Sequence, residues 1–467
     1  MTLDPAWADG SSIAAAVNAG EFSAANVVAA VLDRIRTHDP SLNAFTAVTA
    51  DRAMARADAV DGLRAAGQSP GPLAGVPFAV KNLFDIEGLA TVAGSRINRS
   101  HSPATADAVL VQRLETAGAI LVGALNMGEY AYDFTGENIH DGASCNPHDL
   151  SCMTGGSSGG SGAAVAGGLV PIALGSDTNG SIRVPASLCG IFGLKPTYGR
   201  LPRTGSFPFV GSLDHLGPLA RTTRDLALSY DAMQGFDAGD AACVRRKAEP
   251  VSSKLHLGIA GLRIARAGGY FHEGAMPKAL DAVDQVARAL DATAEVELPE
   301  AARARAAAYI ITTTEGAALH LDRLRTRATD FDPDVRDRLI AGSLLPAGFV
   351  VQAQKFRRWY RNAVLALFAE ADAILAPATP CPAPLIGQKT FVLGDVELPI
   401  RPNLGIFTQP ISFIGLPVVA VPVPSPGAMP IGVQIITAPW REDIALRVAQ
   451  ALENLGICHA TQPSFQV

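Results

Sequence analysis

The alternation of apolar and polar positions along the chain predicts helices that alternate with short buried strands. Residues 23–36 carry apolar residues at helical spacing, with Ser23 placed to cap the first turn. Residues 51–66 show a second helical stretch, which Gly67 ends. Further helices are predicted at residues 107–117, 161–167 and 442–455. Mainly apolar runs, typical of buried strands, occupy residues 73–80, 119–123, 170–174, 372–377, 418–422 and 431–436. This order favours an α/β fold.

The same pattern bears on domain organisation. We see no internal repeat and no long low-complexity linker, so we expect residues 1–467 to form a single domain. Strands alternate with helices through about residue 265, and we expect residues 71–265 to form its catalytic core segment. Residues 277–371 are rich in arginine and mostly helical in pattern, which predicts a helical subregion within the domain.

Composition excludes several function classes. A net charge of −6 over 467 residues gives no basic field for nucleic acid or acidic membranes. No apolar run reaches the roughly 18 residues of a membrane span, and the N-terminus lacks the pattern of a signal peptide. The six cysteines show neither a CxxC pair nor Cys/His metal spacing, so we expect free thiols, no metal site and a cytoplasmic protein.

Glycine and serine dominate the centre of the chain, where the run GGSSGGSG covers residues 155–162. Such a run is either a flexible linker or a locked loop whose N–H groups line an anion pocket. We favour the pocket because apolar segments enclose the run. It lacks the Gly-Lys-[Ser/Thr] ending of a P-loop and does not match a dinucleotide fingerprint. Gly156–Gly160 fits the G-x-S-x-G elbow, but no later histidine has a recognisable setting.

A lysine follows the apolar strand at residues 73–80. Lys81 either reaches water from the strand end or is a desolvated amine whose lowered pKa suits a base near pH 7. A hydroxyl nucleophile needs such a partner. Ser157 and Ser181 are the candidate hydroxyls, and Asp177 and Arg183 flank Ser181 as either a bidentate pair or two solvated charges.

Together these residues resemble the amidase signature family of serine hydrolases. The resemblance is carried by residues 155–161, by SDTNGSIRVP at 176–185 and by GLKPT at 193–197. It extends over nearly the whole chain and implies a large mixed β-sheet covered by helices on both faces. It also implies a cofactor-free Ser-Ser-Lys triad that works through an acyl-enzyme.

The resemblance assigns a role to each matching position. Ser181 matches the nucleophile, Lys81 the base, and Ser157 the bridging serine that follows a cis peptide bond. Ser158 looks like a further partner of Lys81, with Asp177 and Arg183 as supporting residues. The N–H groups that resemble the oxyanion hole belong to Thr178, Asn179, Gly180 and Ser181.

Within the family, the chain is similar to the biuret-type amidohydrolases of cyanuric acid breakdown, which implies release of ammonia from 1-carboxybiuret or another small carboxylated urea. This likeness lies in residues 81–88, 176–190, 215–219, 231–235 and 429–434. A carboxylated substrate needs a cation and a polar pocket. The candidates, each also interpretable as an ordinary helix or core residue, are Arg323, Arg325, Arg357, Glu315, Thr408 and Gln409.

Three other functions stay open from the sequence: the glutamine-hydrolysing component of a tRNA-dependent amidotransferase, a general aliphatic or aryl amidase, and a catalytically silent scaffold. The intact Lys81, Ser157 and Ser181 argue against the scaffold. The resemblance also implies a homodimer and, as a further partner, a small helical accessory subunit.

Overall fold

The computed structural model describes residues 7–425 and 427–463. Its helices are α1 Gly10–Ala19, α2 Ala24–Leu42, α3 Ala50–Ala65, α4 Val109–Thr116, α5 Gly159–Ala166, α6 Arg183–Leu188, α7 Thr223–Met233, α8 Tyr270–Glu273, α9 Pro277–Ala289, α10 Ala301–Arg327, α11 Pro333–Ser343, α12 Ala347–Leu367, α13 Ile400–Asn403, α14 Gln409–Ser412 and α15 Glu442–Asn454. Its strands are β1 Phe45–Val48, β2 Pro77–Lys81, β3 Ile120–Leu125, β4 Cys145–Asn146, β5 Asp149–Met153, β6 Ile172–Asp177, β7 Phe192–Lys195, β8 His215–Ala220, β9 Ile264–Ala267, β10 Ala294–Val296, β11 Ala373–Pro377, β12 Thr390–Leu393, β13 Val396–Pro399, β14 Val418–Val423 and β15 Ile431–Thr437.

One eleven-stranded sheet organises these elements, in the order β1-β3-β2-β6-β8-β7-β14-β15-β11-β9-β10. The strand β2 runs parallel to β3 and β6, and β9 runs parallel to β10 and β11, whereas the other neighbours are antiparallel. Every residue of β2, β3, β6, β7, β8, β11, β14 and β15 is buried. Because successive strand residues point to opposite faces, both faces of the sheet are covered. The α/β prediction with a mixed sheet is confirmed.

Local signals placed several elements correctly. The Ser23 hydroxyl accepts from the Asn26 N–H and caps α2, whose Val27, Val31 and Ile35 are buried. The strands predicted after residue 118 are present within a few residues of their expected ends. Residues 277–371 contain α9, α10, α11 and α12, together with the short strand β10, which the helical pattern did not predict.

The sheet order brings two distant segments of the chain to one edge. Because β2 and β6 are parallel neighbours, with Val80 opposite Leu174, their carboxyl ends lie side by side. Lys81 ends β2 and Asp177 ends β6. The helix α5 packs against both strands. A Cβ on Gly160 would meet the backbone oxygens of Ala44 and Asn126 at 2.5 and 2.6 Å, so glycine allows this close approach.

Two sequence-based expectations concern the chain as a whole. All six cysteines are free thiols, as predicted. Among the described residues, no helix combines the length and the apolar character that crossing a membrane requires.

Candidate active site

Lys81 is fully buried and its amine is held by two hydroxyls. Its Nζ donates to Ser157 Oγ at 2.7 Å and to Ser176 Oγ at 2.8 Å. Burial lowers the pKa of Lys81 to about 7, although the carboxylates of Asp177, Asp133 and Asp214 act in the opposite direction. A substantial fraction of the amine is therefore neutral at pH 7 and able to accept a proton.

The serines that precede α5 have different partners. The Gly156–Ser157 peptide bond is cis, as the resemblance implied, and the Ser157 hydroxyl faces Lys81. The Ser158 hydroxyl instead bonds the backbone N–H and C=O of Ser176, both at 3.3 Å. Ser158 is thus connected to Lys81 only through Ser176, which sequence reasoning did not single out. Its position in β6, beside β2, is what brings it to the amine.

The loop that carries Ser181 runs from the end of β6 to the start of α6. Within the described part of the chain, the N–H groups of residues 178–181 donate to no protein acceptor. Gly180 has φ +146°, and a Cβ there would meet Thr408 Oγ1 at 2.1 Å, so this position requires glycine. Buried, unpaired N–H groups beside a serine hydroxyl are the arrangement that stabilises an oxyanion.

A buried ion pair holds this loop from behind. Arg183 donates through Nε and Nη2 to the two oxygens of Asp177, at 2.9 and 3.0 Å, and both side chains are fully buried. Gln434 accepts a third bond from Arg183, and Ser412 donates to Asp177. Burial alone would raise the pKa of Asp177, but Arg183 holds it well below its usual range. The bidentate interpretation therefore describes this pair, rather than two solvated charges.

Replacing Arg183 by Met is expected to destabilise the protein by about 3–5 kcal/mol, because it leaves a buried carboxylate without its cation. Denaturant unfolding followed by circular dichroism measures this change. Arg36→Met is the control, since the Arg36–Asp33 pair is 80% and 65% exposed and exposed pairs contribute about 1 kcal/mol or less. Equal losses in the two variants would contradict a structural role for the Asp177–Arg183 pair.

Ser181 opens onto a narrow cavity of about 20 Å³, where one buried water needs roughly 10–15 Å³. Its lining residues are Ala131, Tyr132, Asp133, Phe134, Thr178, Asn179, Ser181, Phe209, Tyr309, Thr312, Arg338, Pro402 and Gln409. Of the predicted substrate-binding residues, Gln409 lies in this lining. Thr408 lies behind it and donates to the Asn179 carbonyl.

The other predicted substrate-binding residues are engaged away from this cavity. Glu315 accepts from the N–H and hydroxyl of Ser212. Arg323 packs over Tyr130 and approaches His320 at 3.3 Å. Arg325 is 69% exposed beside Asp322, and Arg357 donates to the carbonyls of Phe413 and Ser212. Glu315 and these arginines are therefore not among the residues that line the Ser181 cavity.

The cation that does line the cavity is Arg338 of α11, which the sequence analysis missed. It stacks 3.8 Å from the ring centre of Tyr132 and donates to the carbonyls of Tyr132 and Asp334. Nothing in the local sequence distinguishes Arg338 from the other arginines of residues 277–371. Packing of α11 against α10 selects it, because α10 supplies Tyr309 and Thr312 to the same cavity.

Known proteins share this architecture. Residues 26–446 match the Amidase family. The chain is 54% identical to AtzE, a component of the 1-carboxybiuret hydrolase of Pseudomonas sp. (strain ADP), over 94% of this chain and 97% of that protein. It is 38% identical to a component of the glutamyl-tRNA(Gln) amidotransferase of Chromohalobacter salexigens, over 97% of each. A solved structure, described as a vestigial protein complex that reveals the origins of an s-triazine catabolic enzyme, superposes with a TM-score of 0.96 at 53% identity, covering 97% of this chain and 100% of that one.

The match over most of the chain and the near-complete structural overlap agree with the buried lysine and serines described above. The chain belongs to the amidase family, in its amidase signature group, and is an amidohydrolase that acts on C–N bonds.

Proposed function

We propose that this amidohydrolase releases ammonia from a small carboxylated urea derivative such as 1-carboxybiuret, through an acyl-enzyme formed on Ser181. The observation that carries the mechanism is the buried amine of Lys81, held 2.7 Å from the Ser157 hydroxyl beside the Ser181 loop. The 54% identity to a 1-carboxybiuret hydrolase component supports the substrate.

In the first half-reaction, Ser181 Oγ attacks the amide carbon. The Ser181 proton passes to Ser157, and the Ser157 proton passes to neutral Lys81. The carbonyl oxygen becomes negative and accepts hydrogen bonds from the free N–H groups of residues 178–181. When the C–N bond breaks, the leaving nitrogen takes the proton back through the same relay and departs as ammonia.

In the second half-reaction, water attacks the ester between the acyl group and Ser181. Lys81 again accepts a proton through Ser157, and the relay returns it to the Ser181 oxygen as the acid leaves. No step requires a metal or an organic cofactor, and we propose none.

The lining of the cavity supports an anionic substrate. Arg338 is the guanidinium on this lining, and its planar donors suit a carboxylate. We propose that Arg338 binds the substrate carboxylate, a role for which the sequence analysis offered Arg323, Arg325 and Arg357 as candidates.

The test is ammonia release from 1-carboxybiuret formed in situ, biuret, allophanate, glutamine and an aryl amide. We expect the highest kcat/KM with 1-carboxybiuret. Arg338→Gln is expected to raise KM for 1-carboxybiuret by about 10–100-fold, since hydrogen bonds to charged groups contribute about 1.5–3 kcal/mol. The same variant should change KM for uncharged biuret by less than about threefold. Arg323→Gln is the matched control. Faster turnover of glutamine or an aryl amide would discard the urea-type substrate.

The second candidate is the glutaminase activity of an amidotransferase, which the 38% identity over almost the full chain favours. The same assay separates the two, because a glutaminase would release ammonia from glutamine. A general aliphatic or aryl amidase would show its activity on the aryl amide, and a silent scaffold would release no ammonia from any of the five compounds.

Assembly and location follow as further proposals. We propose a cytoplasmic homodimer of single-domain chains that bind a small-molecule amide and neither nucleic acid nor membrane. The mild net charge of −6 agrees with this. We also propose a small helical accessory subunit, which the description of a 53% identical structure as a protein complex supports.

A further inference from the structure

Asn179 presents a buried acceptor that no residue of the described chain satisfies. Its side chain is only 6% exposed and lines the cavity that contains Ser181. Its Nδ2 donates to Thr312 Oγ1 at 2.9 Å, and its backbone carbonyl accepts from Thr408. Its Oδ1 is buried and has no hydrogen-bond partner within residues 7–425 and 427–463. The side-chain amide of Asn179 is thus held in place, while its Oδ1 remains an unused hydrogen-bond acceptor.

The hydroxyl of Thr312 has an unused hydrogen-bond donor in the same cavity. This fully buried residue of α10 accepts from Asn179, and the described structure gives its hydroxyl no other bond. The next two residues, Thr313 and Thr314, donate to backbone carbonyls of their own helix. The hydroxyl proton of Thr312 therefore remains available to a molecule in the cavity.

A buried polar atom without a partner costs about 1–3 kcal/mol, so the unpaired acceptor of Asn179 and the unused donor of Thr312 point to a ligand that completes both. The free acceptor of Asn179 and the free donor of Thr312 together complement a –C(=O)–NH– group. We infer that Asn179 and Thr312 form a subsite for a second, non-reacting amide of the substrate, and so select urea-type substrates over monoamides. This inference deepens the proposed function and rests on it.

The Asn179 half of the proposed subsite is close in sequence to Ser181, the proposed nucleophile. The N–H of Asn179 belongs to the loop that faces the proposed oxyanion, two residues before Ser181. Its side chain is therefore suited to the neighbouring amide of a substrate in which two amides share one nitrogen, as in biuret. A monoamide that fills the same space leaves Oδ1 of Asn179 and the Thr312 hydroxyl unpaired, and a site built to bond a polar group discriminates strongly against an analogue that lacks it.

The experiment compares 1-carboxybiuret, formed in situ, with glutaramate, which has the same chain length, carboxylate and terminal amide but methylenes in place of the second amide. Variants Thr312→Val and Asn179→Ala are expected to lower kcat/KM for 1-carboxybiuret by about 10–100-fold. Thr312→Val, which leaves the loop that carries Ser181 untouched, should change kcat/KM for glutaramate by less than about threefold. Thr312→Ser, which keeps the hydroxyl, should retain most of the selectivity of the wild type.

Thr313→Val is the matched control, since Thr313 is the next residue of α10 and its hydroxyl bonds only that helix. Thermal unfolding confirms that each variant is folded before its kinetics are compared. An equal loss on both substrates, or an unchanged ratio in Thr312→Val, would overturn the second-amide subsite while leaving the proposed function in place. Wild-type enzyme that hydrolyses glutaramate or glutamine but not 1-carboxybiuret would overturn both.

Discussion

Replacing Ser181 by Ala is expected to lower kcat by about 10⁴-fold or more, the scale on which hydrolases lose activity without their nucleophile. Ser181 lies on the cavity and next to the free N–H groups of its loop. The substitution removes one oxygen and no hydrogen bond that holds the fold, so thermal unfolding should be almost unchanged. Steady-state ammonia release measures the loss, and mass spectrometry of the enzyme mixed with substrate detects the acyl adduct on wild type alone.

The matched control for Ser181 is Ser158→Ala. Ser158 is a buried serine of the neighbouring Gly-rich run, and its hydroxyl bonds only the backbone of Ser176. We expect this variant to keep the acyl adduct and to lose about 1 kcal/mol of stability, the worth of a typical hydrogen bond. An adduct on Ser181→Ala, or activity within about tenfold of wild type, would refute Ser181 as the nucleophile.

The second large effect is expected for Lys81→Met, with kcat falling by about 10³–10⁴-fold. Methionine fills the same space without an amine, so Ser157 loses the group that accepts its proton.

In wild type, kcat/KM should rise about tenfold per pH unit below the Lys81 pKa of about 7 and level off above it. The sign follows from the base role, because only the neutral amine is active and it is populated as pH rises through the pKa. A pH–rate profile between about pH 5 and 9 measures this limb.

The control for Lys81 is a second buried lysine. Lys195 is fully buried and its pKa is also lowered to about 7, by burial and by Arg183, but its amine donates to the carbonyls of Pro196 and Leu416 rather than to a serine. Lys195→Met is expected to keep the rising limb near pH 7 and most of kcat. If Lys195→Met lost the rise of kcat/KM near pH 7 while a partly active Lys81 variant kept it, the pH dependence would belong to Lys195. That result would refute Lys81 as the base.

Periodicity and local chemistry determined much of this protein. Apolar runs predicted the buried strands because alternate strand residues face opposite covered sides, and Ser23 marked the start of α2 because its hydroxyl caps the first turn. The Asp177–Arg183 pair could also be predicted from the sequence, because both residues lie on one short turn. The residue types of Lys81, Ser157 and Ser181, together with their motifs, marked the reaction class.

Only the tertiary structure decided which side chains line the cavity at Ser181. Ser176 reaches Lys81 because β6 and β2 are parallel neighbours, and Thr312 reaches Asn179 across 133 residues because α10 packs over the loop that carries Ser181. Arg338, rather than Arg323, lines the cavity because α11 packs against α10. The local sequence does not distinguish these two arginines. Helical spacing defines which residues share a face, but not which neighbour that face meets. The pairing of strands and the docking of helices fix those long-range contacts, and with them the lining of the site.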